Sequence, residues 1–117
     1  MSSAMKTVFI YGTLKRGQCR SDVMSGQQFI GEARTTSEYQ MYNHGYFPCL
    51  VENGKNSIVG ELWEISDECK DRLDQIEGAP YLYDLLPIKL ETHPGLECYS
   101  YLYQQNTVGL ADCGVCW

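Results

Sequence analysis

One helical pattern, with strand-like segments on both sides of it, is the feature that most limits the fold of this chain. Apolar residues recur at helical spacing through residues 66–76, and the serine, aspartate and glutamate at its start suit the positive end of a helix dipole. Gly78 and Pro80 then end the pattern. We therefore predict one helix here, with an apolar face formed by Ile65, Cys69, Leu73 and Ile76.

Short strands are predicted before and after this helix, from apolar or alternating runs bounded by turn residues. Asn53-Gly54 is a strong hairpin signal, which predicts that the strands on either side of it pair with each other. Strands, one helix and more strands indicate the α+β class, and so many strands in a small domain favour a curled sheet or a barrel. The predicted strands cover residues 8–11, 29–34, 38–43, 49–52, 58–65, 83–90 and 97–103.

The composition and charge of the chain exclude several classes of protein. Its 117 residues suit one domain, residues 1–117, and a hydrophobic content of 44% argues against disorder. The net charge of −6 argues against a nucleic-acid partner, because phosphate binding needs clustered lysine and arginine. No apolar run approaches the roughly 20 residues of a membrane span, and the start lacks the apolar core of a signal peptide. We expect a cytoplasmic protein with no nucleic-acid or membrane partner, and its oligomeric state stays open.

Six cysteines raise the question of disulfide bonds or a metal site. A chain of this length without a secretory signal is expected to keep reduced thiols. The run Cys113-Gly114-Val115-Cys116 has redox or metal spacing, but no helix follows it and no second cysteine pair completes a zinc site. We therefore favour a chance match for this motif. The six cysteines are Cys19, Cys49, Cys69, Cys98, Cys113 and Cys116.

The segment after the first predicted strand has the features of an anion-binding loop. Gly12 ends the apolar run of residues 8–11 and allows a ligand to approach the main chain closely. Successive N–H groups in such a turn can point at one spot, and Thr13 adds a hydroxyl. Lys15 and Arg16 add positive charge to an otherwise acidic protein. Because the spacing of a P-loop is absent, the pattern predicts a loop that holds a carboxylate or a phosphate.

A glutamate at the end of the predicted helix is the second candidate for chemistry. Glu77 faces the negative end of the helix dipole, which disfavours its charged form. Partial burial beside Tyr81 and Tyr83 would also raise its pKa, toward the range that suits a general base. From spacing alone, an ordinary solvated acid among the fifteen acidic residues is the favoured alternative.

Four segments together resemble the gamma-glutamylcyclotransferase-like family, most closely its gamma-glutamylamine cyclotransferase branch. The tyrosine-glycine-threonine-leucine loop after a first strand is moderately specific by itself. The signal becomes strong because a glutamate at a helix end is followed six residues later by a tyrosine. The segments occur in the family's order and span residues 8–103; they are FIYGTLKRGQ (9–18), FPCL (47–50), VGELW (59–63) and LDQIEGAPYLY (73–83).

The resemblance implies a small mixed β-barrel flanked by helices, with a cavity that holds a gamma-glutamyl group. In such enzymes the α-amine of the substrate attacks the γ-carbonyl, which closes 5-oxoproline and expels an amine. Glu77 is then the catalytic residue, which takes a proton from the α-ammonium and passes one to the leaving amine. No metal, cofactor or nucleophilic side chain is needed. The implied substrate-binding residues are Tyr11, Gly12, Thr13, Leu14 and Tyr83, the last of which orients the ligand or the carboxylate through its hydroxyl.

One position departs from the family pattern, and several residues keep two interpretations. Relatives commonly carry an arginine two residues after the tyrosine that matches Tyr83, and this chain has Leu85 there. The resemblance therefore assigns this chain no arginine for shaping the pocket or choosing the leaving group.

The open alternatives concern His44 and His93 (surface residues or ligands), Glu61 (a second cavity carboxylate or a paired acid), Cys19 (a reactive or merely nearby thiol), and Tyr99, Tyr101 and Tyr103 (packing or recognition).

Two other functions stay open beside the cyclotransferase. A non-catalytic module on this fold would bind a small carboxylate or a protein partner, and another enzyme on the same fold would act on a different amide. Intact Tyr11, Gly12 and Glu77 favour an enzyme, but fold similarity does not settle chemistry. The identity of the leaving amine depends on the loops at residues 43–48 and 79–83.

Overall fold

Eight strands and one α-helix follow one another in the part of the chain that the computed structural model describes, residues 5–12, 14–18, 21–45 and 47–117. All seven predicted strands and the predicted helix are present. The elements are β1 (Met5–Ile10), a 3₁₀ helix (Ser21–Met24), β2 (Gln28–Arg34), β3 (Tyr39–Asn43), β4 (Pro48–Glu52), β5 (Val59–Ser66), α1 (Asp67–Glu77), β6 (Tyr83–Ile88), β7 (Cys98–Tyr103) and β8 (Ala111–Asp112).

The strands form two sheets, and neither sheet closes into a barrel. Five strands lie in the order β2-β5-β1-β7-β6 and three in the order β4-β3-β8. β1 and β7 are parallel while the other neighbours are antiparallel, so the larger sheet is mixed. A single bridge between Thr35 and Leu90, just beyond β2 and β6, joins these two edges without extending into a ladder. The predicted barrel is therefore wrong, and the fold is an open α+β arrangement.

Both edge strands of the larger sheet have local reasons to stay open. Pro87 lies in β6 and has no N–H to donate to a further strand. The pairing of β2 with β5 shifts register between Phe29 and Gly31, and such irregularities are common at sheet edges.

The resemblance implied a fold flanked by several helices, but the described residues contain only α1 and the 3₁₀ helix.

Side chains along the central strands β1 and β5 alternate between the two faces of the larger sheet, and both faces are buried. Val8 pairs with Trp63 across β1 and β5, and both belong to a buried cluster that includes the apolar face of α1. Phe9 pairs with Leu62 on the opposite face, and these two belong to a second cluster with residues of β3 and β4. The five-stranded sheet is therefore covered on both faces, by α1 on the first, while the three-stranded sheet supplies Cys49 to the first cluster and Met41 and Leu50 to the second.

Helix α1 begins and ends where the sequence predicted, within one residue. The Ser66 hydroxyl accepts a hydrogen bond from the backbone N–H of Cys69 at 3.2 Å, which caps the first turn. Gly78 takes a left-handed conformation (φ 65°) and donates its N–H to the Gln75 carbonyl at 3.3 Å. These two caps fix the length of the helix, and so they place Glu77 at its last residue.

The hairpin predicted at Asn53-Gly54 is wrong, although the turn itself forms. Asn53 has a positive φ of 64°, as a tight turn requires, but β4 pairs with β3 and β5 pairs with β1 and β2. Gly54 lies so close to the Tyr39 main chain that a Cβ would be 2.3 Å from its carbonyl carbon. The turn therefore packs back on β3, and the chain then crosses to the centre of the other sheet. The short β8 was not predicted, because two residues show no period.

The cysteines and the composition also carried expectations about the fold. Cys19 lies outside the described residues, just before the 3₁₀ helix Ser21–Met24. The five cysteines within the described ranges are free thiols. In those same ranges, no helix is long and apolar enough to cross a membrane.

Replacing Leu73 by alanine tests whether α1 is held by its apolar face. Leu73 is fully buried in the cluster beneath the helix, so we expect a loss of about 2–5 kcal/mol in the free energy of unfolding. Asp71→Ala, on the exposed side of the same helix, should change it by no more than about 0.5 kcal/mol. Urea titrations followed by circular dichroism measure both, and equal effects would contradict this packing.

Candidate functional site

A partly open cavity of about 80 Å³ lies where the end of β1, the start of β4 and the end of α1 meet. One water needs roughly 10–15 Å³ of such volume, so the cavity accommodates a small ligand group of several atoms. Its lining combines main chain, aromatic rings and a carboxylate. The lining residues are Phe9, Ile10, Tyr11, Gly12, Leu14, Phe47, Pro48, Ile76, Glu77, Leu82, Tyr83 and Tyr101.

The structure brings the sequence-predicted site residues to this one cavity. Tyr11, Gly12 and Leu14 come from the loop after β1, Glu77 from the end of α1, and Tyr83 from the start of β6. Thr13, the remaining predicted binding residue, lies outside the described residues. Segments separated by more than sixty positions in the chain therefore meet at one site.

Close contact between Gly12 and Pro48 shapes the floor of the cavity. A Cβ on Gly12 would lie 2.7 Å from Pro48 Cγ, closer than real Cβ atoms approach, and 3.0 Å from Pro48 Cδ. Glycine is therefore favoured at this position, because any larger residue would require the Pro48 ring to shift. The loop continues as a turn, in which the N–H of Lys15 donates to the Gly12 carbonyl at 3.0 Å.

The Tyr11 side chain acts as a buried strut. Its hydroxyl donates to the Tyr101 carbonyl at 2.5 Å. Burial raises the pKa of Tyr11 well above its ordinary value, and the negative charge of Glu77 raises it further. The hydroxyl therefore stays protonated at neutral pH, so it can donate a hydrogen bond but cannot serve as a base.

The hydroxyl of Tyr83 has protein partners of its own. It donates to the Pro48 carbonyl at 2.8 Å and lies 3.5 Å from the Cys49 sulfur. Burial raises the pKa of Tyr83, and nearby Tyr11 contributes to the same direction. Tyr83 thus holds in place the proline that contacts Gly12, and its ring forms a wall of the cavity.

The half-buried carboxylate of Glu77 faces this set of polar groups. Its negative charge is among the causes that raise the pKa values of Tyr11, Cys49, Tyr83 and Tyr101. Such an effect on four groups indicates that the carboxylate lies within electrostatic reach of all of them. The side chain therefore lies on the cavity side of the helix end.

Aromatic rings continue the cavity wall toward the surface. Phe47 stacks on His44 with ring centroids 4.8 Å apart and planes 11° apart. The Tyr103 ring contacts both His44, at 5.8 Å, and Tyr83, at 5.3 Å. His44 is thus part of an aromatic wall that we define as His44, Phe47, Tyr83 and Tyr103. His93, by contrast, lies in a turn where its Nδ1 is 2.8 Å from the Thr92 hydroxyl.

The remaining candidates lie outside the cavity lining. Glu61 is the paired acid of the two alternatives, since its carboxylate binds Arg16 and Trp63. Leu85 packs against the helix-side cluster. Cys19 lies outside the described residues, and within those residues no group of three or more metal-ligating side chains occurs. The run from Cys113 to Cys116 keeps no assigned role.

Sequence reasoning missed several wall residues for reasons that the structure makes plain. Tyr101 was expected to pack, and it does: its hydroxyl donates to Asp74 at 2.6 Å while its ring lines the cavity. Ile76 belongs to a predicted helix face, yet it is partly exposed at the cavity. The signal for Phe47 and Pro48 was present, because both lie in one of the four segments that carry the resemblance.

Comparison with known proteins identifies the class of this fold and site. Residues 8–114 match the family model described as gamma-glutamyl cyclotransferase, AIG2-like. The chain is 33% identical over 114 residues to "Putative gamma-glutamylcyclotransferase MJ1514" of Methanocaldococcus jannaschii, covering 94% of each chain. It is 35% identical over 97 residues to gamma-glutamylaminecyclotransferase A of Danio rerio, covering 75% of this chain and 60% of that one.

A solved structure extends the similarity to the fold. The solution structure of the Escherichia coli protein ytfP matches with a TM-score of 0.74 at 27% identity, covering 95% of each chain. These matches define an enzyme of the cyclotransferase class. The chain belongs to the gamma-glutamyl cyclotransferase, AIG2-like family, and the resemblance inferred from the four sequence segments is confirmed.

Gly12→Ala tests the contact at the cavity floor. The added methyl group must displace the Pro48 ring, and overpacking of this kind costs about 1–3 kcal/mol in the free energy of unfolding. Gly31→Ala is the matched control, because a Cβ at Gly31 meets no atom within 4 Å. Chemical denaturation of both variants checks this, and an unaltered Gly12→Ala midpoint would show that Pro48 moves freely.

Tyr83→Phe tests the bond that holds Pro48. Loss of the hydroxyl leaves the buried Pro48 carbonyl without this donor, so we expect a destabilisation of about 1–3 kcal/mol. Tyr99→Phe is the control, because the Tyr99 hydroxyl donates to the exposed Glu97 carboxylate at 2.6 Å and its loss should matter by no more than about 0.5 kcal/mol. Thermal unfolding of the two variants gives the comparison, and matching losses would refute the role of the Pro48 bond.

Proposed function

We propose that this protein is a gamma-glutamyl cyclotransferase that converts a gamma-glutamyl amine into 5-oxoproline and a free amine. The observation that carries the proposal is the convergence of the loop after β1, Glu77 and Tyr83 on one cavity. Family membership supports the same general activity. The substrate, the product and the roles of individual residues follow from the family resemblance, and the chemistry of the lining is compatible with them.

The loop after β1 is the part of the cavity that suits the head group. Gly12 exposes main chain at the floor, and turn amides that point into a cavity bind carboxylate oxygens. Tyr11, Gly12 and Leu14 then contact the glutamyl moiety, with Thr13 between them. The same amides can stabilise negative charge that develops on the γ-carbonyl oxygen during attack.

Glu77 is assigned the proton transfers. The α-ammonium of the substrate gives a proton to the carboxylate, and the freed amine nitrogen attacks the γ-carbonyl carbon. The protonated Glu77 passes its proton to the amide nitrogen as the bond between this nitrogen and the γ-carbonyl carbon breaks. The attacking nitrogen then carries one proton more than the lactam needs; it gives this proton to the regenerated carboxylate, and the released amine takes it to leave as an ammonium ion. Both protons lost by the α-ammonium end on the leaving amine, so atoms and charge balance with one carboxylate as base and acid.

The nucleophile in this reaction comes from the substrate, which agrees with the state of the other polar groups. The hydroxyls of Tyr11 and Tyr83 have raised pKa values and donate to backbone carbonyls. Burial also raises the pKa of the Cys49 thiol, which reduces its nucleophilic form. Holding an extended glutamyl arm in a folded shape supplies on the order of 7–11 kcal/mol, the scale of well-oriented intramolecular reactions.

The charge of the lining bears on the leaving group. Among the described lining residues, Glu77 is the one charged side chain, and the wall beside it is aromatic and aliphatic. An anionic leaving group would therefore meet repulsion without a fixed positive partner in that lining. This favours neutral or cationic amines over amino acids as leaving groups, in agreement with the gamma-glutamylamine branch.

Release of 5-oxoproline from a panel of gamma-glutamyl amines and gamma-glutamyl amino acids tests the proposal, with mass spectrometry as the readout. We expect release from at least one amine, and Glu77→Gln, which keeps the shape of the side chain, should reduce turnover about 100-fold or more. Glu68→Gln is the control, because it removes one exposed acidic charge from the same helix. Its turnover should match that of the wild type.

Two results would contradict parts of this proposal. Retained turnover in a folded Glu77→Gln variant would remove Glu77 from the proton transfers. Absence of 5-oxoproline across the panel, with binding of a small carboxylate still detectable by calorimetry, would favour a non-catalytic binding module.

A further inference from the structure

A buried acid outside the cavity is bonded to the loop that the proposed function assigns to the head group. Glu61 lies in β5, is 7% exposed, and does not belong to the cavity lining. Burial of a carboxylate is costly unless donors compensate for lost water. The contacts of this residue therefore indicate what it holds.

Three donors surround the Glu61 carboxylate. One oxygen accepts the backbone N–H of Arg16 at 3.1 Å and the indole N–H of Trp63 at 3.2 Å. The other oxygen accepts the side-chain Nε–H of Arg16 at 3.0 Å. The bond to the Arg16 main chain is the important one, because it ties the loop itself to the sheet.

The position of Glu61 in β5 suits this role. It is the residue in register with Ile10, the last residue of β1 and therefore the point at which the loop leaves the sheet. Arg16 lies after the turn in which Lys15 donates to Gly12, so its bond to Glu61 brings the far side of the loop back to the same strand position. Both ends of the loop are thereby attached at the same pair of residues, Ile10 and Glu61.

The guanidinium of Arg16 extends the same anchor. Its Cζ lies 3.7 Å from the centroid of the Phe29 ring, and Phe29 in turn contacts Trp63 edge to face at 5.4 Å. Carboxylate, indole, ring and guanidinium thus form one connected group between β2, β5 and the loop. Its members already bond one another, so this group has a structural rather than a chemical task.

We propose that Glu61 is a positioning residue, which fixes the conformation of residues 14–16 and thereby sets the affinity of the cavity for the gamma-glutamyl head group. This inference rests on the proposed function of the loop. Loss of the carboxylate leaves the Arg16 amide without its acceptor, so the loop samples other conformations and binds substrate less well. Bound substrate selects the loop conformation of the wild type, in which the amides again face the γ-carbonyl and Glu77 is untouched, so the effect falls on KM more than on kcat.

The first test compares steady-state kinetics of the wild type, Glu61→Ala and Glu61→Gln. Glu61→Ala should raise KM about tenfold or more, since bonds to a charged acceptor are among the stronger ones, while kcat changes less than about threefold. Glu61→Gln keeps a carbonyl oxygen for the Arg16 amide and should restore most of the affinity. Glu32→Gln is the matched control: Glu32 is the exposed residue in register with Glu61 on β2, and its removal should change neither constant.

Hydrogen exchange of the ligand-free proteins gives a second readout that does not depend on catalysis. The amides of residues 14–18 should exchange faster in Glu61→Ala than in the wild type, while those of β3 and β4 keep their protection. If Glu61→Ala does not fold, the smaller change expected for Glu61→Gln in the same amides carries the test. Wild-type exchange at residues 14–18 in the folded variants would overturn the inference.

The outcomes separate this inference from the proposed function. A wild type that releases no 5-oxoproline would refute the activity, while the exchange experiment would still decide whether Glu61 orders the loop. Active variants with unchanged KM would overturn the inference and leave the activity standing. Arg16→Gln removes the guanidinium and keeps the main-chain amide, so an increase in KM as large as that of Glu61→Ala would assign the effect to the ion pair and overturn the main-chain anchor.

Discussion

The antiparallel pairing of β1 with β5 is the constraint on which the rest of the structure depends. Because Val8 pairs with Trp63 and Phe9 with Leu62, each strand supplies apolar residues to both faces of the sheet. The apolar side of α1 covers one face of the sheet and the second sheet covers the other, because an uncovered face would expose a large apolar area to water. The same pairing ends at Ile10, so the loop that follows leaves the sheet at a point fixed by the core. The register of β1 with β5 therefore determines where the site lies.

Electrostatic interactions determine the protonation of the tyrosine hydroxyls around the cavity. The tyrosines are buried beside a carboxylate, and both conditions raise their pKa values, so their hydroxyls remain donors. Each hydroxyl satisfies a main-chain carbonyl or an acid: Tyr11 bonds Tyr101 and Tyr101 bonds Asp74. This arrangement holds three segments together around the cavity that Glu77 lines. The burial that keeps these hydroxyls protonated therefore also makes the cavity wall rigid.

Local features of the sequence were predicted well, and non-local pairings were not. The helix and its caps depend on neighbours within four positions, so Ser66 and Gly78 disclosed both ends. The loop at Gly12 and the position of Glu77 followed from the same local reasoning, and the resemblance joined them. The barrel and the Asn53-Gly54 hairpin failed because strand order is decided by which faces can be buried, and period alone does not show that β5 prefers β1 and β2 over β4.

Leu85, which stands where relatives commonly carry an arginine, lies outside the cavity lining and belongs to the core beside it. Leu85 pairs in register with Tyr101 and packs against the helix-side cluster, so its apolar side chain is compatible with the core that supports the cavity wall. Asp74, the acid that bonds Tyr101, receives the hydroxyl of Tyr101 at 2.6 Å and the ammonium of Lys70 at 2.7 Å, so its charge is balanced without a cation at position 85. Because the loop after β1 and Glu77 come from other elements and Leu85 lies outside the cavity lining, the departure at position 85 leaves the residues that line the cavity unchanged.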